Sequence, residues 1–142
     1  MGNREARLEE ARRLSQMFID ITHTAKADFG EIVGTMGLPV HLARAVLMLN
    51  KPAPMRDLAE RLACDRSYIT NLADQLEERG LVTRIPGEDR RVKLLQLTPD
   101  GVALRDKISA AVTERALVLR RLTAAERKAL APLLEKLLRD DN

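Results

Sequence analysis

Tryptophan is absent from this chain, and aromatics of every kind make up only 2% of its 142 residues, as one tyrosine and two phenylalanines. A core therefore has to be built from Leu, Val, Ile, Met and Ala. A single cysteine excludes an internal disulfide, and nothing else points to an oxidising compartment. No apolar run approaches the ~18 residues of a membrane span, and no signal-peptide pattern precedes the first charged helix, so the expected location is the cytoplasm. Glycine loops that cradle phosphates, a nucleophile beside a plausible histidine base, and metal-ligand spacings are all missing, which argues against an enzyme and against a cofactor. His23 and His41 have no clustered ligands around them and read as surface or satisfied histidines. Charge is nearly balanced: 24 basic against 21 acidic side chains give a net +3 and a pI near 9.3. That permits a nucleic-acid partner without demanding one, so the placement of charge has to carry any such case. What remains is an ordinary globular composition, 45% apolar, of a length that suits one domain. Repeats and low-complexity tracts are not seen.

The most informative stretch runs from Pro54 to Thr98. In MRDLAERLA, Met55, Leu58, Ala59, Leu62 and Ala63 share one helical face. Cys64 and Asp65 break that pattern. Asp65 is a suitable N-cap, because its carboxylate can accept from the free amides of a new first turn. The second helix, RSYITNLADQLEERG, buries Ile69, Leu72, Ala73 and Leu76 and closes at Gly80. Its other side presents Arg66, Ser67, Thr70, Asn71, Asp74 and Gln75, short polar groups that match base edges in a major groove. Asn and Gln suit adenine, and Arg suits guanine or phosphate.

After Gly80 the period changes. LVTRI alternates around Leu81, Val82 and Ile85, and VKLLQL restores Val92, Leu94, Leu95 and Leu97, so two strands are expected with PGEDRR as the turn between them. Asp89, Arg90 and Arg91 lie where this hairpin projects furthest. Arginines on a thin projection reach phosphates or a narrow minor groove. Arg84, Arg90 and Lys93 are assigned to phosphates, which set affinity and salt dependence. A helix-turn-helix followed by a basic hairpin is a winged helix-turn-helix, so the fold class is mainly α with a small β-hairpin wing.

The flanks read as helices. Glu5 to about Val33 carries a stripe of Leu8, Ala11, Leu14, Phe18, Ile21, Ala25, Phe29 and Ile32, widened by Met17, Ile19 and Val33. At 1.5 Å per residue it would reach about 42 Å, longer than one small domain needs. GTMGLP breaks it, and Pro39 opens a second helix with Val40, Ala43, Val46, Leu47 and Leu49, ended by NKPAP. Beyond the wing, Thr98 caps a helix that starts at Pro99 and continues through Val102, Ile108, Val112 and Leu119. Thr123 and Glu126 form a capping box for a last helix with Leu130, Leu133, Leu134, Leu137 and Leu138. A lone subunit would expose much of this apolar surface. The terminal helices are therefore expected to form a two-fold dimerisation layer.

The run LAERLACDRSYITNLADQLEERGLVTRIPGEDRRVKLLQLTPDG resembles the core of the MarR family of bacterial transcription regulators, in its helix-turn-helix, the LEERGLV junction, the DRR of the wing and the LTPDG that opens the next helix. The resemblance implies one MarR-type domain over residues 1–142, with a DNA-binding region at 38–98 and dimerisation helices at 5–36 and 99–140. It also implies an obligate homodimer on palindromic double-stranded operator DNA, usually a repressor relieved by a small molecule or an oxidant. In the family pattern the Asp corresponding to Asp89 orients the wing arginines, and Arg91 is the minor-groove residue. A small-molecule effector would sit near Ile21, Ala25, Val40, Arg44 and Met48, whose plainer role is core. Asn71 and Gln75 stand where many members have basic residues, and Cys64 where a small apolar residue is usual. Cys64 is read as packing, since the reactive cysteine of the oxidant-sensing branch lies in the first helix. The alternative reading is a winged-helix module that binds protein rather than DNA.

Overall fold

The computed structural model describes residues 2–140. Among the described residues, seven helices and three strands follow one another as α1 (Gly2–Thr35), α2 (Val40–Met48), β1 (Ala53–Pro54), α3 (Met55–Arg61), α4 (Arg66–Glu78), β2 (Val82–Pro86), β3 (Lys93–Leu97), α5 (Pro99–Glu114), α6 (Leu117–Arg121) and α7 (Ala124–Leu137). The fold is mainly helical with a small antiparallel sheet. Two compact units divide the chain: residues 29–111, and residues 2–28 together with 112–140.

The first of these holds the core. Leu42, Val46, Leu49, Leu58, Ile69, Leu72, Leu76, Val82, Leu95 and Ile108 are almost completely removed from water. All are aliphatic, as the scarcity of aromatics requires. Their spacing explains the elements: Ile69, Leu72, Ala73 and Leu76 recur at three and four along α4 and seal its inner side. Val40, expected among the apolar residues of α2, is instead 43% exposed, while Leu42 and Ala45, one step round the helix, take the inward positions.

Each boundary of α4 has a local cause. Asp65 accepts a 2.8 Å hydrogen bond from the Tyr68 backbone N–H at the start. At the end, Gly80 turns left-handed (φ 71°), which lets the Leu81 N–H reach back to the Leu76 carbonyl at 3.0 Å. The turn between α3 and α4 uses Ala63 at φ 52°, a conformation that costs a side chain of this handedness about 1–2 kcal/mol.

β2 and β3 pair antiparallel from Val82 opposite Leu97 to Pro86 opposite Lys93. The sheet has a third strand where the NKPAP segment is expected to be a plain connection: Ala53 and Pro54 pair with Leu95 and Leu94, giving the order β1-β3-β2. Pro54 lacks an N–H and fits only at such an edge.

Thr98 ties three elements together. Its hydroxyl donates to the Gly80 carbonyl at 2.6 Å and accepts from the Gly101 N–H at 3.1 Å, while its own N–H donates to the Leu81 carbonyl. The end of α4, the entry to β2 and the first turn of α5 meet there. A Cβ on Gly101 would lie 2.1 Å from the Leu81 carbonyl oxygen, so only glycine allows this approach.

The second unit contrasts with the first, since none of its described residues is buried. Leu8, Leu14, Met17, Phe18, Ile19 and Ile21 on α1 are about half exposed, and Leu133, Leu137 and Leu138 are more exposed still. Arg120 donates to the Asp28 carboxylate at 2.8 Å. α1 is longer than expected at both ends. The helix expected to run from Pro99 through Leu119 is interrupted instead: Ala116 is extended (ψ 135°) and α6 starts anew behind it. The capping box forms as expected, with the Thr123 N–H on the Glu126 carboxylate at 2.9 Å and the Glu126 N–H on the Thr123 hydroxyl. The bond from the Thr123 backbone, followed by that from its hydroxyl, holds the Glu126 carboxyl below the ordinary glutamate range.

Candidate nucleic-acid interface

The outward side of α4 is polar because the inward side has taken every large aliphatic residue. Arg66, Ser67, Thr70, Asn71 and Asp74 are exposed there. Among the described residues, the side chains of Arg66, Ser67 and Asn71 have no protein hydrogen-bond or ion-pair partner, so their polar groups remain available to an incoming molecule. Thr70 differs. Its hydroxyl donates to the Arg66 carbonyl at 2.9 Å, leaving lone pairs but no free proton.

Gln75 is also engaged. It is half-buried, and its Oε1 lies 3.2 Å from Nε2 of His41 at the start of α2. The His41 ring in turn stands 6.2 Å from that of Tyr68, tilted by 56°. Tyr68, missing from the sequence-derived set, is 45% exposed on α4. Its signal was present: positions 68, 71 and 75 fall at intervals of three and four and share one stripe.

The hairpin tip is built by its own backbone. The Gly87 N–H donates to the Val92 carbonyl and the Val92 N–H to the Asp89 carbonyl, both at 2.9 Å. The Asp89 carboxylate accepts from the Arg91 N–H at 3.0 Å. Asp89 thus shapes the turn through the main chain, with no ion pair to the Arg91 guanidinium among the described residues. Arg90, Arg91 and Lys93 are exposed, with side chains that have no protein partner there.

Arg84 is placed differently from these. Its guanidinium bridges from β2 to α4, donating to Asp74 and lying 3.1 Å from Glu77. The contact offsets acidic charge at the outer end of the polar helix and joins wing to helix. A depression of about 320 Å³ lined by Asp74, Glu77 and Glu78 lies beside it, negative in character and unsuited to phosphate.

The residues assigned to an effector divide between the two units, with Ile21 and Ala25 in one and Val40, Arg44 and Met48 in the other. Ile21, Ala25, Val40 and Arg44 are exposed and Met48 is half-buried. A depression of about 220 Å³ on α1 is lined by other side chains, namely Phe18, Ile19, Thr22, His23 and Lys26. Cys64 is partly buried in the turn before α4, its N–H on the Ala59 carbonyl. Among the described residues, no three His, Cys, Asp or Glu side chains gather where one metal ion could bind, and no single helix is long and apolar enough to cross a membrane.

A capped helix with a bare polar side, set behind a short helix and running into an arginine-tipped hairpin, defines a winged helix-turn-helix. Residues 47–93 match the model of the MarR family. It is 40% identical over 87 residues to a Thauera aromatica protein named for transcriptional regulation of the hcr operon, an alignment spanning 60% of this chain and 52% of that protein. With the organic hydroperoxide resistance transcriptional regulator of Bacillus subtilis (strain 168) it shares 33% identity over 70 residues, covering 49% and 48% of the two chains. The chain thus spans about half the length of these curated relatives. Crystalline wild-type MarR from E. coli in its apo form superposes with a TM-score of 0.77 at 23% identity, over 89% of this chain and 96% of that one. A cysteine-to-serine mutant of that protein, complexed with operator DNA, gives 0.69 at 22% identity over 92% and 96%. At these identities the structural likeness establishes the shared fold.

Proposed function

We propose that this chain is a sequence-specific DNA-binding transcriptional regulator, a repressor that grips inverted-repeat operators as a homodimer and yields to a small-molecule effector. The observation that carries this reading is the presence, within one compact unit, of Arg66, Ser67 and Asn71 on α4 and of Arg90 and Arg91 at the hairpin tip, whose side chains have no protein partner among the described residues. The first set has the hydrogen-bonding groups to read base edges; the second has the charge to hold phosphates or enter a minor groove. The names of the two curated relatives, both regulators, support the same class, and that class is not enzymatic. A regulator of this kind acts on DNA in the cytoplasm.

In this reading residues 38–98 contact DNA, while residues 5–36 and 99–140 pair two subunits. Support for the pairing comes from the apolar side chains that α1 and α7 leave in water. Two copies of α4 related by a two-fold axis would enter successive major grooves about 34 to 36 Å apart, which calls for a symmetric site. Arg66, Ser67, Thr70, Asn71 and Gln75 face the bases. Arg90, Arg91 and Lys93 serve the backbone and minor groove, Asp89 shapes the tip, and Arg84 acts chiefly by joining wing to helix. A small-molecule effector would act by preferring one spacing of the two readers.

Selection of bound sequences from a random duplex library, followed by gel shifts at several salt concentrations, tests the proposal. An inverted repeat bound with a steep salt dependence is the expected result. Salt-insensitive binding, or recovery of no motif, would favour the protein-interaction module.

A further inference from the structure

We infer that His41 is a specificity-determining residue, acting through Gln75 by fixing which end of its amide faces outward. The inference rests on the DNA-binding reading above and names a residue of α2 that the reading does not use. With Nε2 of the ring 3.2 Å from Oε1 of Gln75, the ring N–H donates and the amide carbonyl is turned back toward α2. The ring is held beside Tyr68 of the same polar stripe, so both side chains of α4 that face His41 restrict it. A glutamine amide has one carbonyl and one NH2 group. Once the carbonyl is held, the group left to face outward is the NH2, a donor only.

This changes what Gln75 selects. An unrestrained glutamine reads adenine with both ends, accepting from N6 and donating to N7. A donor alone prefers the edge richest in acceptors, which in the major groove is guanine with its N7 and O6. Gln75, expected from its residue type to be an adenine reader, becomes a guanine reader because of a histidine 34 positions earlier. Removing the ring N–H frees the carbonyl and restores the two-ended contact. His41 is a positioning residue here, since it touches no base itself.

The test uses the full-length protein and a random duplex library. Gln75→Ala identifies the base pair in question as the one whose preference flattens. At that pair the wild type should select guanine, and His41→Phe, which keeps an aromatic ring beside Tyr68 without the N–H, should move the preference toward adenine by about five- to tenfold. His41→Gln, which returns an N–H at similar reach, should restore guanine. His41→Ala repeats the deletion without the bulk, in case the phenylalanine disturbs folding. In a Gln75→Ala background, His41→Phe should change nothing further. The inference is overturned if His41→Phe and His41→Ala leave that base pair unaltered or shift it away from adenine, if His41→Gln fails to restore it, or if affinity falls equally on all sequences. Recovery of no motif by the wild type would instead bring down the DNA-binding reading on which the inference stands.

Discussion

Replacing Arg91 by alanine should flatten the salt dependence of operator binding by a definite amount. The Arg91 side chain is exposed at the hairpin tip without a protein partner among the described residues, and the turn that presents it is held by main-chain bonds and by the Asp89 carboxylate on the Arg91 N–H. Truncating the guanidinium therefore leaves the tip intact, because every bond that shapes it survives. A homodimer carries two such arginines. Each neutralised phosphate contributes about 0.9 to the slope of log K against log salt, so losing both lowers the slope by about 1.8. Between 50 and 200 mM salt the wild type should then lose about twelvefold more affinity than the variant over the same range. Fluorescence anisotropy on a labelled operator, titrated at four or five salt concentrations, measures both slopes, and thermal unfolding checks that stability is unchanged. Parallel slopes would show that the Arg91 charge displaces no counterion from the duplex, and Arg91 would lose its assigned place on the DNA.

Four further outcomes follow from the geometry. Gly101→Ala forces a Cβ to within 2.1 Å of the Leu81 carbonyl oxygen and should destabilise the fold by about 1–3 kcal/mol, read as a lower denaturant midpoint; an unchanged midpoint would contradict the close approach. Ala63→Gly relieves the left-handed backbone in the turn before α4 and should stabilise by up to about 1 kcal/mol, whereas a loss would mean that the turn is otherwise constrained. Leu137→Glu places a charge on the exposed apolar side of α7, where Leu137 is 66% exposed; sedimentation should find single subunits, and a surviving dimer would exclude this face from the interface. Because the folded-state value of Glu126 is lowered, its capping contribution is complete above the ordinary glutamate range and is lost as pH falls through that lowered value. Unfolding of wild type and Glu126→Gln, whose side chain does not titrate, followed across acidic pH should show this loss in the wild type alone.

The helix-turn-helix and its wing were legible in the sequence because their signals are local. Asp65 and Gly80 mark both ends of α4, and the change from helical to alternating spacing marks the hairpin. The break at Ala116 was not legible, since no proline or glycine stands there and TERALV keeps a helical pattern. β1 escaped because two residues cannot alternate, and it is a strand only through pairing with Leu94 and Leu95, some forty positions later. In the candidate site the outward residues of α4 followed from periodicity. The engagement of Arg84 with Asp74 and Glu77, and of Gln75 with His41, did not. Those partners depend on which element packs alongside, and residue type alone leaves arginine and glutamine looking like free contacts.

The knot at Thr98 separates the reader's frame from its lettering. The groups that lock the end of α4 to the wing and to α5 are one hydroxyl, a few main-chain atoms and a glycine, whereas Arg66, Ser67 and Asn71 take no part in that lock. New letters can therefore be written on the helix without recasting the frame, so a lineage carrying this scaffold has a cheap route to new operators: vary positions 66, 67 and 71, and leave 98 and 101 alone.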